Sequence, residues 1–136
     1  MDQSSANDNQ YRFIQDKRVT DPDLTLLYPG EPSAAEMRRT ALYLTMAQIP
    51  EGKVVAYGQL AEMAGLGRAA RWVGRTLSQL PDGSSLPWHR VLGAGGRLSL
   101  PAGSVSGDEQ RARLRAEGVT IRNNRVDMQR HGWRPL

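Results

Sequence analysis

The chain has 136 residues, of which 39% are hydrophobic and none is cysteine, with 18 Lys and Arg side chains against 14 Asp and Glu. This length fits one domain with one modest core and excludes an α/β barrel or a two-domain enzyme. The absence of cysteine excludes disulfides, thiolate nucleophiles and sulfur-based metal sites, and two histidines are too few for a histidine-rich metal site. No apolar run approaches the ~20 residues that span a bilayer. We therefore expect a cytoplasmic protein without metal, cofactor or membrane partner.

Charge divides the chain into two parts. Residues 1–33 hold six acidic and three basic residues, whereas residues 34–136 hold fifteen basic and eight acidic ones. We predict that 1–33 form an acidic, partly disordered extension and that 34–136 form the single domain. Of the 18 basic residues, 16 are arginine, whose planar fork matches phosphate and guanine edges. The charge alone fits a nucleic-acid partner and an ordinary solvated surface equally well.

The domain is predicted to begin with a helix. The Ser33-x-x-Glu36 capping box predicts a helix over 34–48, with an apolar face formed by Met37, Ala41 and Leu44. A short extended piece follows at 54–55. Residues 57–64 then predict a two-turn helix.

A second helix follows after a glycine turn at 65–67. It is predicted over 68–80, so the two helices have the helix-turn-helix pattern. Arg68, Arg71 and Arg75 lie at i, i+3 and i+7 and share the face opposite the apolar one. On the second helix of a helix-turn-helix, this face meets nucleic acid, and otherwise it is a solvated face.

The remaining elements are short. A loop enters a strand near 91–92, and glycines at 93–96 predict a hairpin turn into 97–99. A second capping box, Ser106-x-x-Glu109, predicts a helix that ends near Glu117. Residues 119–121 and 125–128, joined across Asn123 and Asn124, predict a final hairpin. The fold class is therefore α/β, mostly helical, a winged-helix-like domain with a helix-turn-helix and short β-hairpins.

The run Pro87-Trp88-His89-Arg90 combines an aromatic ring with basic groups after the basic helix. Such a loop could stack bases in a pocket. The spacing alone favours a core tryptophan and a histidine held by a core hydrogen bond.

Five separated motifs resemble, in order and spacing, the DNA-binding domain of the O6-alkylguanine-DNA alkyltransferases. In that family the second position of a Pro-x-His-Arg motif is the acceptor cysteine, and here it is Trp88. This substitution is typical of the alkyltransferase-like proteins, which bind alkylated guanine in DNA without repairing it. The motifs lie at 49–61, 70–74, 87–91, 95–96 and 117–118, and the tail at 131–135 also resembles that subgroup.

The resemblance implies roles for individual residues. Arg71 matches the arginine finger that replaces the flipped base, and Tyr57 matches the tyrosine that presses on the 3′ phosphate of the lesion. Trp88 would line the lesion pocket, and backbone groups of Val91 and of the 95–103 loop would read the guanine edge.

The resemblance also includes the family's catalytic relay. His89 and Glu117 match the pair that activates the cysteine, and we interpret them here as a structural remnant. We therefore predict no catalytic residue.

Two positions depart from the family pattern. The asparagine that pins the active-site loop falls at Leu80, so the hinge must be held in another way. The lesion-side arginine of some members aligns with Pro101, and Arg97 is the nearest candidate to replace it. We therefore count Arg97 among the expected lesion-pocket residues.

The resulting hypothesis is a non-enzymatic sensor of DNA damage. It would bind O6-alkylguanine in duplex DNA by nucleotide flipping and flag the lesion for nucleotide excision repair proteins, as a monomer located at the nucleoid if the source is bacterial. One alternative is an enzyme, either a divergent methyltransferase with a non-cysteine acceptor or a hydrolase using His89 and Glu117. The other is a helix-turn-helix transcription regulator, which would need a dimer interface that the sequence does not offer.

Overall fold

The computed structural model describes residues 30–135, so most of the predicted extension lies outside the described residues. Two turns of 3₁₀ helix, Trp88–Arg90 and Ala94–Gly96, interrupt the later loops. The elements in chain order are α1 (Ala34–Met46), β1 (Val55–Ala56), α2 (Tyr57–Met63), α3 (Ala70–Ser78), β2 (Val91–Leu92), α4 (Val105–Ala116), β3 (Ile121–Arg122), β4 (Arg125–Val126) and α5 (Met128–His131). This arrangement confirms the mostly helical α/β class.

Helix α1 begins directly after Ser33, as predicted, but it buries a different face. Leu42 and Met46 are fully buried, whereas Met37 and Leu44 are 59% and 63% exposed. Both sets have helical spacing, so periodicity alone could not choose between two adjacent stripes. Contacts with the rest of the domain choose the Leu42 stripe, and the predicted apolar face was wrong.

A parallel pair of two-residue strands joins the two halves of the domain. Val55 pairs with Val91 and Ala56 with Leu92. All four of these residues are buried, so the pair fixes the start of α2 beside the loop that carries Trp88. The main hydrophobic cluster surrounds this junction and includes Leu42, Met46, Ile49, Val55, Leu60, Ala61, Ala69, Val73 and Val91.

The helix-turn-helix prediction is confirmed. Helices α2 and α3 pack closely against each other, and the turn between them uses Gly65 and Gly67 at positive φ values of 77° and 67°. Val73 is fully buried on the inner face of α3. The outer face of α3 is thereby left on the protein surface.

The second half differs from the prediction at two places. Ser104, not Ser106, caps α4, because its Oγ accepts a hydrogen bond from the Gly107 amide at 3.0 Å. Residues 97–99 do not form a hairpin strand with 91–92, since strand β2 pairs with β1 and Arg97 only makes an isolated bridge to Arg125. The final hairpin is confirmed, with Asn123 and Asn124 both at positive φ.

The tail packs back onto the first strand. The Val54 amide donates to the His131 carbonyl at 2.9 Å, and the Trp133 amide donates to the Val54 carbonyl at 2.8 Å. Within residues 30–135, no helix is long and apolar enough to cross a membrane. The same residues contain no cluster of side chains that could hold a metal ion.

Candidate functional site

The outer face of α3 forms one wall of an open groove of about 620 Å³. Arg68, Arg71 and Arg75 all line it and are exposed. The prediction that all three lie on one helix was wrong for Arg68, because α3 begins at Ala70 and Arg68 belongs to the preceding turn. Across residues 30–135, none of the three guanidinium groups forms an ion pair with a carboxylate. Within the described residues, the face therefore offers an excess of positive charge beside a concave surface, which suits a polyanion.

A second cavity of about 470 Å³ opens beside this face. Its walls come from the start of α2, the end of α3 with the segment that follows it, the Trp88 turn, and the part of α4 from Val105 to Arg113. The size lies within the usual range of ligand pockets. The residues that line it include Tyr57, Leu80, Trp88, Val91, Leu100, Glu109 and Arg113.

Trp88 belongs both to this cavity and to the core. It is half-buried, and it packs against the main hydrophobic cluster while lining the cavity. The Arg113 guanidinium carbon lies 5.6 Å from the centre of the indole ring, and Arg113 pairs with Glu109 at 2.5 Å. The two interpretations of Trp88, core residue and pocket wall, therefore both describe its position.

Behind Trp88, the turn is fixed by a network centred on the carboxylate of Glu117. His89 Nε2 lies 2.7 Å from Glu117 Oε2, and Arg90 donates to both carboxylate oxygens, at 2.6 Å in its shortest contact. The Gly52 amide donates to Oε1 at 3.0 Å, and Arg90 also donates to the Ile49 carbonyl at 2.8 Å. One carboxylate thus ties the Trp88 turn, the end of α4 and the loop before β1 together.

The network determines the charge states of its members. Burial by itself raises the pKa of Glu117, but hydrogen bonds from Arg90, Gly52 and His89 outweigh burial and lower the pKa to about 2. Burial lowers the pKa of His89 below 6.5, despite the hydrogen bond to Glu117. An ionised carboxylate only accepts hydrogen bonds, so the neutral His89 ring donates through Nε2.

The structure brings together some of the predicted pocket residues and leaves one outside. Tyr57, Trp88 and Val91 line the cavity, and the Tyr57 hydroxyl lies 3.2 Å from Ser99 Oγ. Arg97 does not line it, because its backbone bridges to Arg125 in the terminal hairpin and its side chain is exposed there.

Arg113 lines the cavity in place of the predicted Arg97, and it was not among the predicted pocket residues. Its position four residues after Glu109 on one helix was the available signal.

Another residue that sequence reasoning missed is Arg111. Its side chain is buried and donates to the Leu100 and Gly107 carbonyls at 3.0 and 2.9 Å, and to the side-chain oxygen of Asn124. Asn124 in turn donates to the Leu98 carbonyl at 2.9 Å. Arg111 thus holds both ends of the loop that forms one wall of the cavity. No sequence motif distinguishes it from the other arginines of α4.

The two departures from the family pattern have local explanations. Leu80 packs against the main cluster together with Leu86, so apolar contacts hold the hinge where the family uses an asparagine side chain. At Pro101, the carbonyl accepts hydrogen bonds from the Ser104 amide and hydroxyl, which closes a tight turn before α4.

Comparison with known proteins agrees with this geometry. The model of the 6-O-methylguanine DNA methyltransferase DNA-binding domain matches residues 38–119, more than half of the chain. A DNA base-flipping protein of Escherichia coli K12 is 47% identical over 89 residues, which cover 65% of this chain and 67% of the relative. Alkyltransferase-like protein 1 of Schizosaccharomyces pombe is 33% identical over 101 residues, which cover 71% of this chain and 94% of the relative.

A solved structure is similar in fold as well. The crystal structure of the S. pombe alkyltransferase-like protein in complex with damaged DNA containing O6-carboxymethylguanine gives a TM-score of 0.68 at 31% identity. The match covers 76% of this chain and 100% of that one. With this fold, these relatives and a tryptophan in the second position of the Pro-x-His-Arg motif, the chain belongs to the alkyltransferase-like group within the family of 6-O-methylguanine DNA methyltransferase DNA-binding domains.

Proposed function

We propose that the protein is a non-enzymatic sensor that binds O6-alkylguanine in duplex DNA by flipping the damaged nucleotide into the Trp88 cavity. The observation that carries this proposal is the position of Trp88, which forms a cavity wall directly in front of the His89–Glu117 pair. The indole nitrogen has no available lone pair, so Trp88 cannot accept an alkyl group, but its ring can pack against one. Recognition is thereby separated from removal of the alkyl group.

The exposed arginines supply the approach to DNA. Arg71 lies on the outer face of α3 without an ion-pair partner among the described residues, so its planar group is free to enter the base stack. Tyr57 lies at the start of α2 on the edge of the cavity, where it can press on the backbone of a flipped nucleotide. Arg68 and Arg75 flank Arg71 and would contact phosphates.

Part of the selectivity comes from the damaged base itself. Flipping costs a few kcal/mol of unstacking and unpairing, and the cost is smallest for a base that pairs poorly. Alkylation at O6 disrupts guanine pairing, so the lesion is easier to extract than normal guanine. The cavity then adds contacts from Trp88 and the edge-reading backbone near Val91.

The deciding experiment compares matched duplexes that carry guanine or O6-methylguanine, at one fixed salt concentration because phosphate contacts are salt-dependent. We expect tighter binding to the damaged duplex, and Trp88→Ala should reduce that preference. Trp133→Ala is the control, since Trp133 also packs on the main cluster but does not line the cavity. Equal affinity of the wild-type protein for both duplexes would refute the proposal.

A radiolabelled methyl group on the lesion tests the enzymatic alternative. We expect no label on the protein after prolonged incubation with damaged DNA. Stoichiometric labelling would show that some side chain accepts the methyl group and would replace the sensor hypothesis with a methyltransferase.

The later steps rest on the family resemblance. The bound complex would act as a monomer and present the lesion to nucleotide excision repair proteins. Purified excision proteins should then incise an O6-alkylguanine duplex faster when this protein is present. The cytoplasmic, nucleoid-associated location stays a prediction that microscopy of a tagged chain tests.

A further inference from the structure

Arg38 of α1 lies in the same groove as the arginines of α3. Its guanidinium carbon is 4.4 Å from the centre of the Trp72 ring, which places the planar group over the indole face. Both residues line the groove with Arg68, Arg71 and Arg75. Trp72 is half-buried against the main cluster, so its ring forms a fixed platform on α3.

Within residues 30–135, the hydrogen-bonding edge of the stacked Arg38 has no recorded partner. No carboxylate among residues 30–135 forms an ion pair with it, although Glu62 lines the same groove. An arginine has five N–H donors in one plane, and stacking occupies its face while the edge stays free. Because the platform already limits the rotamers of the side chain, less conformational entropy is lost when the edge binds an anion.

The groove as a whole has the charge expected for a polyanion. Four arginines line it against one glutamate. We propose that Arg38, held on the face of Trp72, is a phosphate-binding residue that extends the DNA contact surface from α3 onto α1. The proposal rests on the proposed function only in that duplex DNA is the ligand, since a phosphate contact is independent of the lesion.

The test uses the full chain and an undamaged duplex, with affinity measured between about 50 and 200 mM salt. Each phosphate contact contributes about 0.9 to the slope of log affinity against log salt, which corresponds to roughly a threefold change over this interval. Arg38→Ala should lower affinity and reduce the slope by about 0.9. Arg39→Ala is the matched control, because it removes the same charge from the next, equally exposed position of α1 and Arg39 does not line the groove.

The outcomes separate cleanly. A reduced slope for Arg38→Ala with a near-normal slope for Arg39→Ala supports the proposal. An unchanged slope for Arg38→Ala, or equal losses in both variants, overturns it, because the effect would then be absent or would reflect net charge alone. Failure of the wild-type protein to prefer O6-methylguanine would refute the proposed function but would leave this slope comparison intact.

A double-mutant cycle tests the platform itself. Trp72→Leu should weaken binding in the wild-type background and have little further effect in the Arg38→Ala background, because the ring acts through the arginine. Arg38→Lys keeps the charge without the planar group and should retain most of the salt slope but lose affinity. Fully additive losses from Arg38→Ala and Trp72→Leu would show that Trp72 does not position Arg38.

Discussion

Arginine side chains have different roles in two regions of this domain: paired within the protein in one, and exposed to solvent in the other. Behind the cavity, the Arg90 side chain is only 17% exposed and donates hydrogen bonds to the Glu117 carboxylate and the Ile49 carbonyl. On the outer face of α3, Arg71 and its neighbours are exposed, with no carboxylate of residues 30–135 paired to them. The same side chain therefore fixes the fold in one place and stays available for a ligand in the other.

The burial of each arginine determines whether its donors must be paired within the protein. A buried guanidinium must have its donors satisfied within the protein, since an unpaired buried charge is strongly unfavourable. An exposed guanidinium has no such requirement, so exposed arginines that are grouped in a groove and unpaired within residues 30–135 indicate a partner beyond the described part of the chain. Four predictions test this distinction between paired and unpaired arginines. They are ordered by the expected change in the free energy of unfolding.

The largest loss should follow Arg90→Ala. This substitution leaves the Glu117 carboxylate, whose side chain is 9% exposed, without its main partner, and breaking a largely buried ion pair costs up to about 3–5 kcal/mol. Urea denaturation measures the loss. Arg113→Ala is the control, because its exposed pair with Glu109 should contribute less than about 1 kcal/mol. Similar losses in both variants would contradict the division between buried and exposed pairs.

Acid should weaken the same region. The pKa of Glu117 is lowered from 4.5 to about 2 in the folded protein, so the unfolded chain binds the proton more tightly. The associated stability, on the order of 3 kcal/mol, is present above pH 4.5 and is lost as the pH falls from about 4.5 toward 2. Burial lowers the pKa of His89, so protonation of the unfolded chain adds a further loss of stability as the pH falls below about 6.5.

The measurement is the free energy of unfolding across this pH range, for the wild-type protein and for Glu117→Gln. The variant should be less stable near neutrality but flatter between pH 4.5 and 2, since it has no carboxylate at position 117 to titrate. Parallel curves for the two proteins would show that Glu117 does not produce the acid sensitivity.

A smaller loss is expected from Arg111→Met, which preserves much of the side-chain length and removes the donors. The Leu100 and Gly107 carbonyls would lose their charged partner, at a cost of about 1.5–3 kcal/mol. Hydrogen exchange at the Leu98 amide, which donates to the Asn124 carbonyl, should become faster. Arg115→Met, at an exposed position of the same helix, should leave both stability and exchange unchanged.

The smallest change in stability should come from Arg71→Ala, within about 0.5 kcal/mol, because the side chain makes no ion pair within the described domain. Binding to an O6-methylguanine duplex should nevertheless fall about tenfold or more, since stacking in a base step contributes about 1–3 kcal/mol. Arg75→Ala should lower binding only by about threefold, as one phosphate contact. Equal effects of the two substitutions would contradict the finger assignment.

Local patterns in the sequence predicted much of the domain and of the candidate site. The glycine turn between α2 and α3 and the Asn123–Asn124 turn depend on neighbouring residues only, and both are confirmed. The predicted arginine face is found for Arg71 and Arg75, whereas Arg68 precedes α3. The resemblance supplied Trp88, Tyr57 and Val91, which the structure places around one cavity.

Errors occurred where two local choices were nearly equal. Met37 and Leu42 belong to stripes with the same helical period, and Ser104 and Ser106 are both suitable caps separated by one residue. For α1, contacts with the rest of the domain make the choice, whereas Ser104 is selected by local hydrogen bonds to Pro101 and Gly107. Arg97 is a third example, because its position follows from pairing with Arg125 and not from its place in the loop.

By itself, the sequence determined that residue 88 cannot accept an alkyl group, because the absence of a thiol is a matter of composition. It also determined that the second helix of a helix-turn-helix has an arginine face, because helical periodicity is local. Which arginines have their donors paired within residues 30–135 depends on the tertiary fold. Arg90 donates to acceptors 27 and 41 residues away along the chain, and Arg111 donates to acceptors 4, 11 and 13 residues away. Arg38 meets Trp72 on another helix. Residues that are far apart in the sequence come into contact only when the core packs. Local sequence patterns therefore could not predict these long-range pairings.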